Sequence, residues 1–296
     1  MLARFLCVLA LVVTPSLASA LSLNDYTVTG TFALPAAAPE ASAVTYNWDT
    51  GTLFVLGDEG DALVEVDANG NQLSVMTLTG FADTEGIAYI GGGQFVITEE
   101  RLRDAYRFSY AAGGTIDSSA MPSADLGTTV GNIGIEGISF DRRDGSFVFV
   151  KEKTPQEVNL ANITFGGAGT TVSSLFTPSL GVLDLSDVTV LSDVTSLVGT
   201  AGADHLLIYS QESKLLLQVT RAGSVLSSFD FSALSLEAEG VTILPDGTIY
   251  VVAETSTAFG ASTLFRLSAV PEPSVLALLA AGAWAIAARR GGRSLD

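Results

Sequence analysis

The chain is poor in the residues on which most site chemistry depends. It has one cysteine and one histidine in 296 residues. A single cysteine excludes an intramolecular disulfide and any thiolate metal cluster, and a single histidine excludes sites built on two imidazoles. Basic residues are also scarce, 14 against 32 acidic, for a formal charge of -18. Such a surface repels phosphate backbones, which argues against nucleic acid as a partner. Long amphipathic helices are missing: no 12-residue stretch of the body carries apolar residues at helical spacing. What the chain does have is 48% hydrophobic residues and 30 glycines. That is too apolar for a disordered acidic chain and suits many short strands joined by tight turns.

The two ends read as addresses rather than fold. Residues 1–20 carry Arg4, an apolar run and Ala18-Ser19-Ala20, the layout of a secretory signal peptide with cleavage before Leu21. Cys7 lies inside that segment. Residues 271–296 open on Pro271-Glu272-Pro273, continue through 14 uncharged residues (275–288) and end in Arg289, Arg290 and Arg293. The uncharged stretch is short for a bilayer span, but snorkelling arginines allow a short C-terminal membrane helix with the domain outside. The domain between, 21–270, keeps 10 of the 14 basic residues after Arg4 and the three tail arginines are removed. It keeps 30 of the 32 acids after Glu272 and Asp296 are removed, so the exported part holds the acidity.

Within 21–270 one unit recurs. A small motif starts a strand, a turn with Asp or Gly follows, and a second apolar strand ends in an acid. The copies are SAVTYNWDTGTLFVLGDEG (42–60), TEGIAYIGGGQFVITEE (84–100), IEGISFDRRDGSFVFVKEK (135–153), SDVTSLVGTAGADHLLIYSQE (192–212) and AEGVTILPDGTIYVVAE (238–254). Third and fourth strands follow in places, as in VDANGNQLSVMTL (66–78). Four short strands per repeat is the pattern of a β-propeller blade: each sheet has two apolar faces and buries them only by stacking in a closed ring. The reading is an all-β propeller of six blades, with five or seven also compatible. Strands at 26–32 and 263–268 are expected to close the ring together. A β-sandwich of similar strand count is the competing fold.

The recurrent acids are the candidate site. Glu85, Glu136, Asp193 and Glu239 open the repeats, and first strands line a propeller's axis, so these side chains are expected to converge there. Clustered carboxylates need protons, water or a cation, and an all-oxygen set suits Ca²⁺ or Mg²⁺ better than Zn²⁺. The plainer alternative is that Glu-Gly is a blade-building device. A second set, Asp58, Glu99, Glu152, Glu212 and Glu254, closes the second strands and is expected near one rim, with Glu59 and Glu100 beside it. No GxSxG elbow is present, and His205 reads as a turn residue.

The stretches TEGIAYIGGGQFVITEER, IEGISFD, FVFVKEKTP, SDVTSL, LLIYSQESKLLLQVTRAGSVL and AEGVTILPDGTIYVVAE resemble the SdiA-regulated (YjiK-like) propeller family across roughly 40–254. The tail resembles the PEP-CTERM sorting signal. The first resemblance implies a six-bladed, exported propeller, similar in architecture to calcium-dependent ones. It maps Glu85, Glu136, Asp193 and Glu239 onto inner acidic positions and Glu99, Glu152, Glu212 and Glu254 onto strand ends. The second implies exosortase-type sorting machinery as a partner and delivery to the envelope, surface or extracellular matrix. The resulting expectation is a ligand- or protein-binding module with a structural Ca²⁺. The alternative is a divalent-metal-dependent hydrolase of an ester, lactone or phosphoester.

Overall fold

A computed structural model describes residues 21–234 and 236–270. The signal-peptide and sorting-tail readings fall outside them. Strand β1 (Tyr26–Ala33) leads into a first blade of β2 (Ala41–Asn47), β3 (Thr52–Gly57), β4 (Ala62–Val66) and β5 (Gln72–Thr79). The second blade has β6 (Thr84–Gly91), β7 (Gln94–Glu99) and β8 (Asp104–Ser109). Its chain then lends β9 (Thr115–Asp117) to the outer edge of the first blade, parallel to β5, and returns as β10 (Ser123–Asp125) beside β8. The third blade is β11 (Ile135–Asp141), β12 (Ser146–Lys151), β13 (Glu157–Asn162) and β14 (Thr171–Phe176). The fourth is β15 (Asp187–Val190), β16 (Leu206–Ser210), β17 (Leu215–Val219) and β18 (Val225–Asp230). The fifth is β19 (Leu236–Ile243), β20 (Ile249–Ser256) and β21 (Thr263–Ala269), completed by β1 on its outer edge.

The propeller therefore has five blades, not six. The expected pairing of residues 26–32 with 263–268 forms, but inside the fifth sheet rather than in a sixth. The wide repeat spacings that suggested another blade are taken up by the β9 excursion and by the long connection from β14 to β15. The short membrane helix expected at 275–288 lies outside the described residues. Among the described residues no helix is long and apolar enough to cross a membrane, and the stretch is not carried further as a span.

Each pair of neighbouring sheets encloses its own apolar layer, which is why the strands read as continuous apolar runs. Between the first and second blades lie Phe54, Leu56, Met76, Tyr89, Phe95 and Ile97. Between the fourth and fifth lie Leu207, Tyr209, Phe231, Val251 and Phe265. Side chains of this size each contribute about 1.5–3 kcal/mol on full burial, so every interface is an extended hydrophobic core and the ring closes on the last of them.

At the axis the inner strands approach closely. A Cβ on Gly137 would stand 2.2 Å from Asp187 Oδ1, and one on Gly240 would stand 2.6 Å from the Ser42 carbonyl oxygen of the next blade. The glycine of the repeated Glu-Gly is thus required by strand approach in a narrow ring.

A candidate metal centre in an acidic well

Four of the five inner strands carry the same irregularity in their opening residues. The register slips between Ala41 and Ala43, Thr84 and Gly86, Ile135 and Gly137, and Ala238 and Gly240. Ser42, Glu85, Glu136 and Glu239 are the extra residues of these bulges, and a bulge re-aims its side chain. In the fourth blade Val188 pairs with Ile208, as Ile138 pairs with Phe149, which puts Ser186 at the bulge position and Asp187 at the glycine position.

The second strands deliver the next layer. Counting from the same pairs, the equivalent residues are Asp58, Glu100, Glu152 and Gln211, each just beyond its strand, and Glu254, still within β20. Their main chain is pinned to the following blade. The carbonyls of Asp58, Glu100 and Glu152 accept hydrogen bonds from the amides of Thr84 (2.7 Å), Ile135 (3.4 Å) and Leu185 (3.0 Å). Each acid is thereby held against the opening residues of its neighbour. Glu100 of the second blade meets Glu136 and Glu152 of the third, and Glu152 in turn meets Asp184 and Glu212 of the fourth.

The outcome is a well of carboxylates at one mouth of the channel. Glu85, Glu136 and Glu239 are half-buried on its floor. Burial pushes Glu85 well above the usual carboxylate range, and Glu239, Asp83, Asp58 and Glu100 push the same way. Glu136 is raised likewise, by burial and then by Glu85 and Glu100. Glu239 rises to about 8, from burial and then Glu254, Asp58, Glu237 and Asp184. Glu254 rises to about 7 and Asp83 to about 6, burial leading in both. The amide of Gln211 donates to Glu239.

Glu100, Glu136 and Glu152 form the tightest group that includes the floor: one oxygen from each lies within 4.8 Å of the others. Glu100 is 1% exposed; its Oε1 accepts the Gly134 amide at 2.8 Å, while Oε2 is buried without a hydrogen-bond partner. A span of this size is reachable from one ion at the roughly 2.3–2.6 Å of a Ca²⁺–oxygen contact, and a buried oxygen without a donor is what such an ion satisfies. Two further acidic groups, Glu40–Asp58–Glu59 and Glu152–Asp184–Glu212, meet the same spacing.

Of the four opening acids read from sequence, Glu85, Glu136 and Glu239 enter the well and Asp193 does not. Asp193 lies past the far end of β15, where its carboxylate faces Arg142 (3.6 Å), itself stacked on Trp48 (4.3 Å to the ring centre). There it helps line a cavity of about 50 Å³ at the other end of the channel. Of the strand-end acids, Asp58, Glu152 and Glu254 hold the expected register. Glu99 is one residue short: it is buried and accepts the Ala82 amide at 2.8 Å, and Glu100 takes its place. Glu212 is one residue long and sits at the rim against Lys153. His205 lies against Gln218 (3.2 Å), beside residues 21–22 and away from the well. Asp187 escaped the sequence reading altogether. It is buried beneath the floor, where Oδ2 accepts the Val241 amide of the fifth blade and Oδ1 that of Val188, both at 2.7 Å.

The class is thus a five-bladed propeller with a carboxylate-lined mouth. The chain belongs to the SdiA-regulated family, whose model matches residues 18–259. A PEP-CTERM protein-sorting motif matches residues 269–291. Together they describe a protein exported to the cell envelope or surface, before or after exosortase-type processing. Among solved structures it is similar to glutaminyl cyclase of Myxococcus xanthus (13% identity, 83% of this chain and 97% of that one, TM-score 0.53). It is also similar to virginiamycin B lyase of Staphylococcus aureus (14%, 81% and 69%, TM-score 0.43) and to a luciferin-regenerating enzyme (9%, 84% and 94%, TM-score 0.49). At these identities the likeness is one of fold.

Proposed function

We propose that the exported domain, residues 21–270, holds a divalent cation on Glu100, Glu136 and Glu152 and uses the well to hydrolyse an ester, lactone or phosphoester. The observation that carries this reading is the convergence of three carboxylates, one of which, Glu100, keeps a buried oxygen without a hydrogen-bond partner. The donor set is all carboxylate oxygen, which favours Ca²⁺ over softer metals. Bound there, the ion supplies Lewis-acid polarisation of the scissile group's oxygen. The chain's own contribution is proton handling. Glu239 keeps its proton near neutral pH and Glu254 is close to half-protonated, which suits them to protonate a leaving group and to accept a proton from water. Gln211 orients the Glu239 carboxyl by its amide hydrogen bond.

A second reading, a binding module stapled by a structural Ca²⁺, is favoured by one feature. The triad spans two blades, Glu100 on the second and Glu136 and Glu152 on the third, so an ion there cross-links them.

Calcium titration by calorimetry, with melting followed in parallel, tests the cation. Binding is expected for the native protein and is lost in Glu100→Gln and Glu136→Gln. No heat and no thermal shift at millimolar Ca²⁺ would sink both readings. A panel of nitrophenyl esters, lactones and nitrophenyl phosphates, with and without chelator, then separates them: chelator-sensitive turnover supports the hydrolase, and binding without turnover supports the module.

A further inference from the structure

The well lies in an acidic protein, yet one cation has been built into it. Lys153 Nζ lies 2.5 Å from Glu152 Oε1 and 2.8 Å from Glu212 Oε1. Those carboxylates, with Asp184, make up the second acidic group, and Glu152 belongs to both that group and the Glu100–Glu136–Glu152 triad. The ammonium therefore occupies the place a metal ion would take in the second group. The third member, Asp184, is already served: Oδ1 accepts the Ser210 hydroxyl, and both oxygens accept the Glu212 amide at 3.1 Å. Glu152 and Glu212 are the members that call for a cation, and Lys153 answers both.

The position of Lys153 is built rather than incidental. Lys151, two residues earlier, is 3% exposed, and its ammonium donates to the Pro155 carbonyl (3.0 Å) and to that of Lys153 itself. This holds the 151–155 turn so that Lys153 is directed back over the well. The side chain of Lys153 is 34% exposed, on a stem long enough to swing clear. Its two carboxylates hold the ammonium charged to well above the usual pH range of a lysine. The residue in the same register of the second blade is Arg101, whose guanidinium pairs with Asp83 (2.9 Å) and Asn132 (2.6 Å). It sits in none of the acidic groups.

We propose that Lys153 is the internal cation of a two-position centre bridged by Glu152, so that its ammonium fills one position and limits the native protein to a single divalent ion at this centre. The proposal deepens the cation reading above and rests on it. In the native protein the second position carries one positive charge that cannot be chelated away. Without that ammonium, Glu152 would be shared by two cation positions, and a pair of ions held there would supply the clamp that two-metal sites use on an in-line displacement. Lys153 is thus a determinant of metal stoichiometry, set by displacement and not by an additional ligand.

The test uses Mn²⁺ as a spin probe on the full exported protein. Metal is counted by calorimetry and native mass spectrometry, and ion–ion coupling is read by electron paramagnetic resonance. The native protein is expected to bind one Mn²⁺ at this centre with an uncoupled six-line signal. Lys153→Met, which keeps the apolar stem, is expected to bind two with a spin-coupled signal. Lys153→Met, Glu212→Gln is expected to return to one. Arg101→Met removes a cation of the same register and is expected to leave the count at one. A single uncoupled ion in Lys153→Met, with the native protein also binding one, overturns the proposal and leaves the cation reading standing. No Mn²⁺ on the native protein or on Lys153→Met overturns the cation reading, and the proposal with it. A second ion gained equally in Arg101→Met also overturns the proposal, since the effect is then one of overall charge.

Discussion

The strongest consequence of the well is a stability that falls as pH rises through neutrality, and Glu239 is the residue on which to measure it. Its carboxyl faces Glu254 at the end of β20, Asp58 beyond β3, Glu237 on its own strand, Asp184 before β15 and the amide of Gln211. Among the described residues, that amide is the side-chain hydrogen-bond donor to it. A carboxyl raised from 4.5 to about 8 binds its proton more tightly in the folded than in the unfolded chain. The stabilisation is therefore fully present below about pH 4.5, declines through the interval, and is gone above about pH 8. At about 1.4 kcal/mol per pH unit the interval amounts to at most about 5 kcal/mol, the water in the well reducing it. For a domain of this length each kcal/mol corresponds to about 2–4 °C; pH 5 to pH 8 covers at most about 4 kcal/mol, so over it this group lowers the melting temperature by up to about 8–16 °C. Glu254, raised to about 7, adds to the fall over the lower part of the same interval. Melting curves followed by circular dichroism in chelator at pH 5, 6, 7, 8 and 9 measure this, comparing the native protein with Glu239→Gln. The glutamine keeps the contact with Gln211 and removes the titration, so its profile should be markedly flatter and its melting temperature at pH 8 higher. Calcium at a hundred times its Kd should return about 2.7 kcal/mol at pH 8. Equal slopes in the two proteins, or a native stability that climbs from pH 5 to pH 8, would refute the reasoning.

Three other substitutions probe the architecture of the mouth. Glu100→Gln is expected to abolish Ca²⁺ binding while leaving the melting temperature in chelator unchanged or higher, because it removes a repulsive neighbour of Glu85 and Glu136; calorimetry beside melting reads both. Asp187→Ala strands the buried amides of Val188 and Val241, and at about 1–3 kcal/mol for each unsatisfied group it should lower stability in urea by about 2–6 kcal/mol. Gly137→Ala places a methyl group against Asp187 Oδ1 and should cost about 1–3 kcal/mol by overpacking, a loss that Gly137→Ala combined with Asp187→Ala partly recovers if the collision is the cause.

Much of this molecule was legible because its local rules repeat. Apolar runs broken by Asp144-Gly145 and Asp246-Gly247 mark hairpins, and every inner strand read from sequence except the fourth overlaps one in the structure. The fourth was displaced by an ambiguity in the chain. The tetrapeptide Ser-Asp-Val-Thr occurs at 186–189 and again at 192–195, and only the first is a strand. Nothing local separates them; the choice is made by pairing with β16, whose apolar residues 206–209 line up with the first copy. The two rim errors have a related origin. Side chains alternate faces along a strand, so taking Glu99 for Glu100, or Glu212 for Gln211, exchanges a residue facing the well for its neighbour. Blade number was hidden for a different reason. It depends on the angle between adjacent inner strands, whereas repeat length records insertions such as β9 as readily as it records blades.

The repeated Glu-Gly carried more than the two rival readings of it allowed. It was weighed as either a blade-building device or a site, yet its two residues divide those roles. Where the pair is kept, at 85–86, 136–137 and 239–240, the glycine lets neighbouring inner strands close on the axis and the glutamate, as the extra residue of a bulge, turns into the well. Where it is not kept, both roles shift together. The first blade has Ser42-Ala43, small at both places. The fourth has Ser186-Asp187, and there the carboxylate stands at the glycine position and points under the floor, bonded to Val241 across the ring. That leaves adjacent glutamates on the second and third blades and a third on the fifth, set between the serines of the fourth and first. The group Glu100–Glu136–Glu152 forms between the second and third blades, where both members of the ring pair are acids and the following strand end is an acid as well. A ring with five identical repeats would spread its charge evenly around the axis; serine at the first and fourth places leaves the second and third blades as the one pair of neighbours that both carry a glutamate.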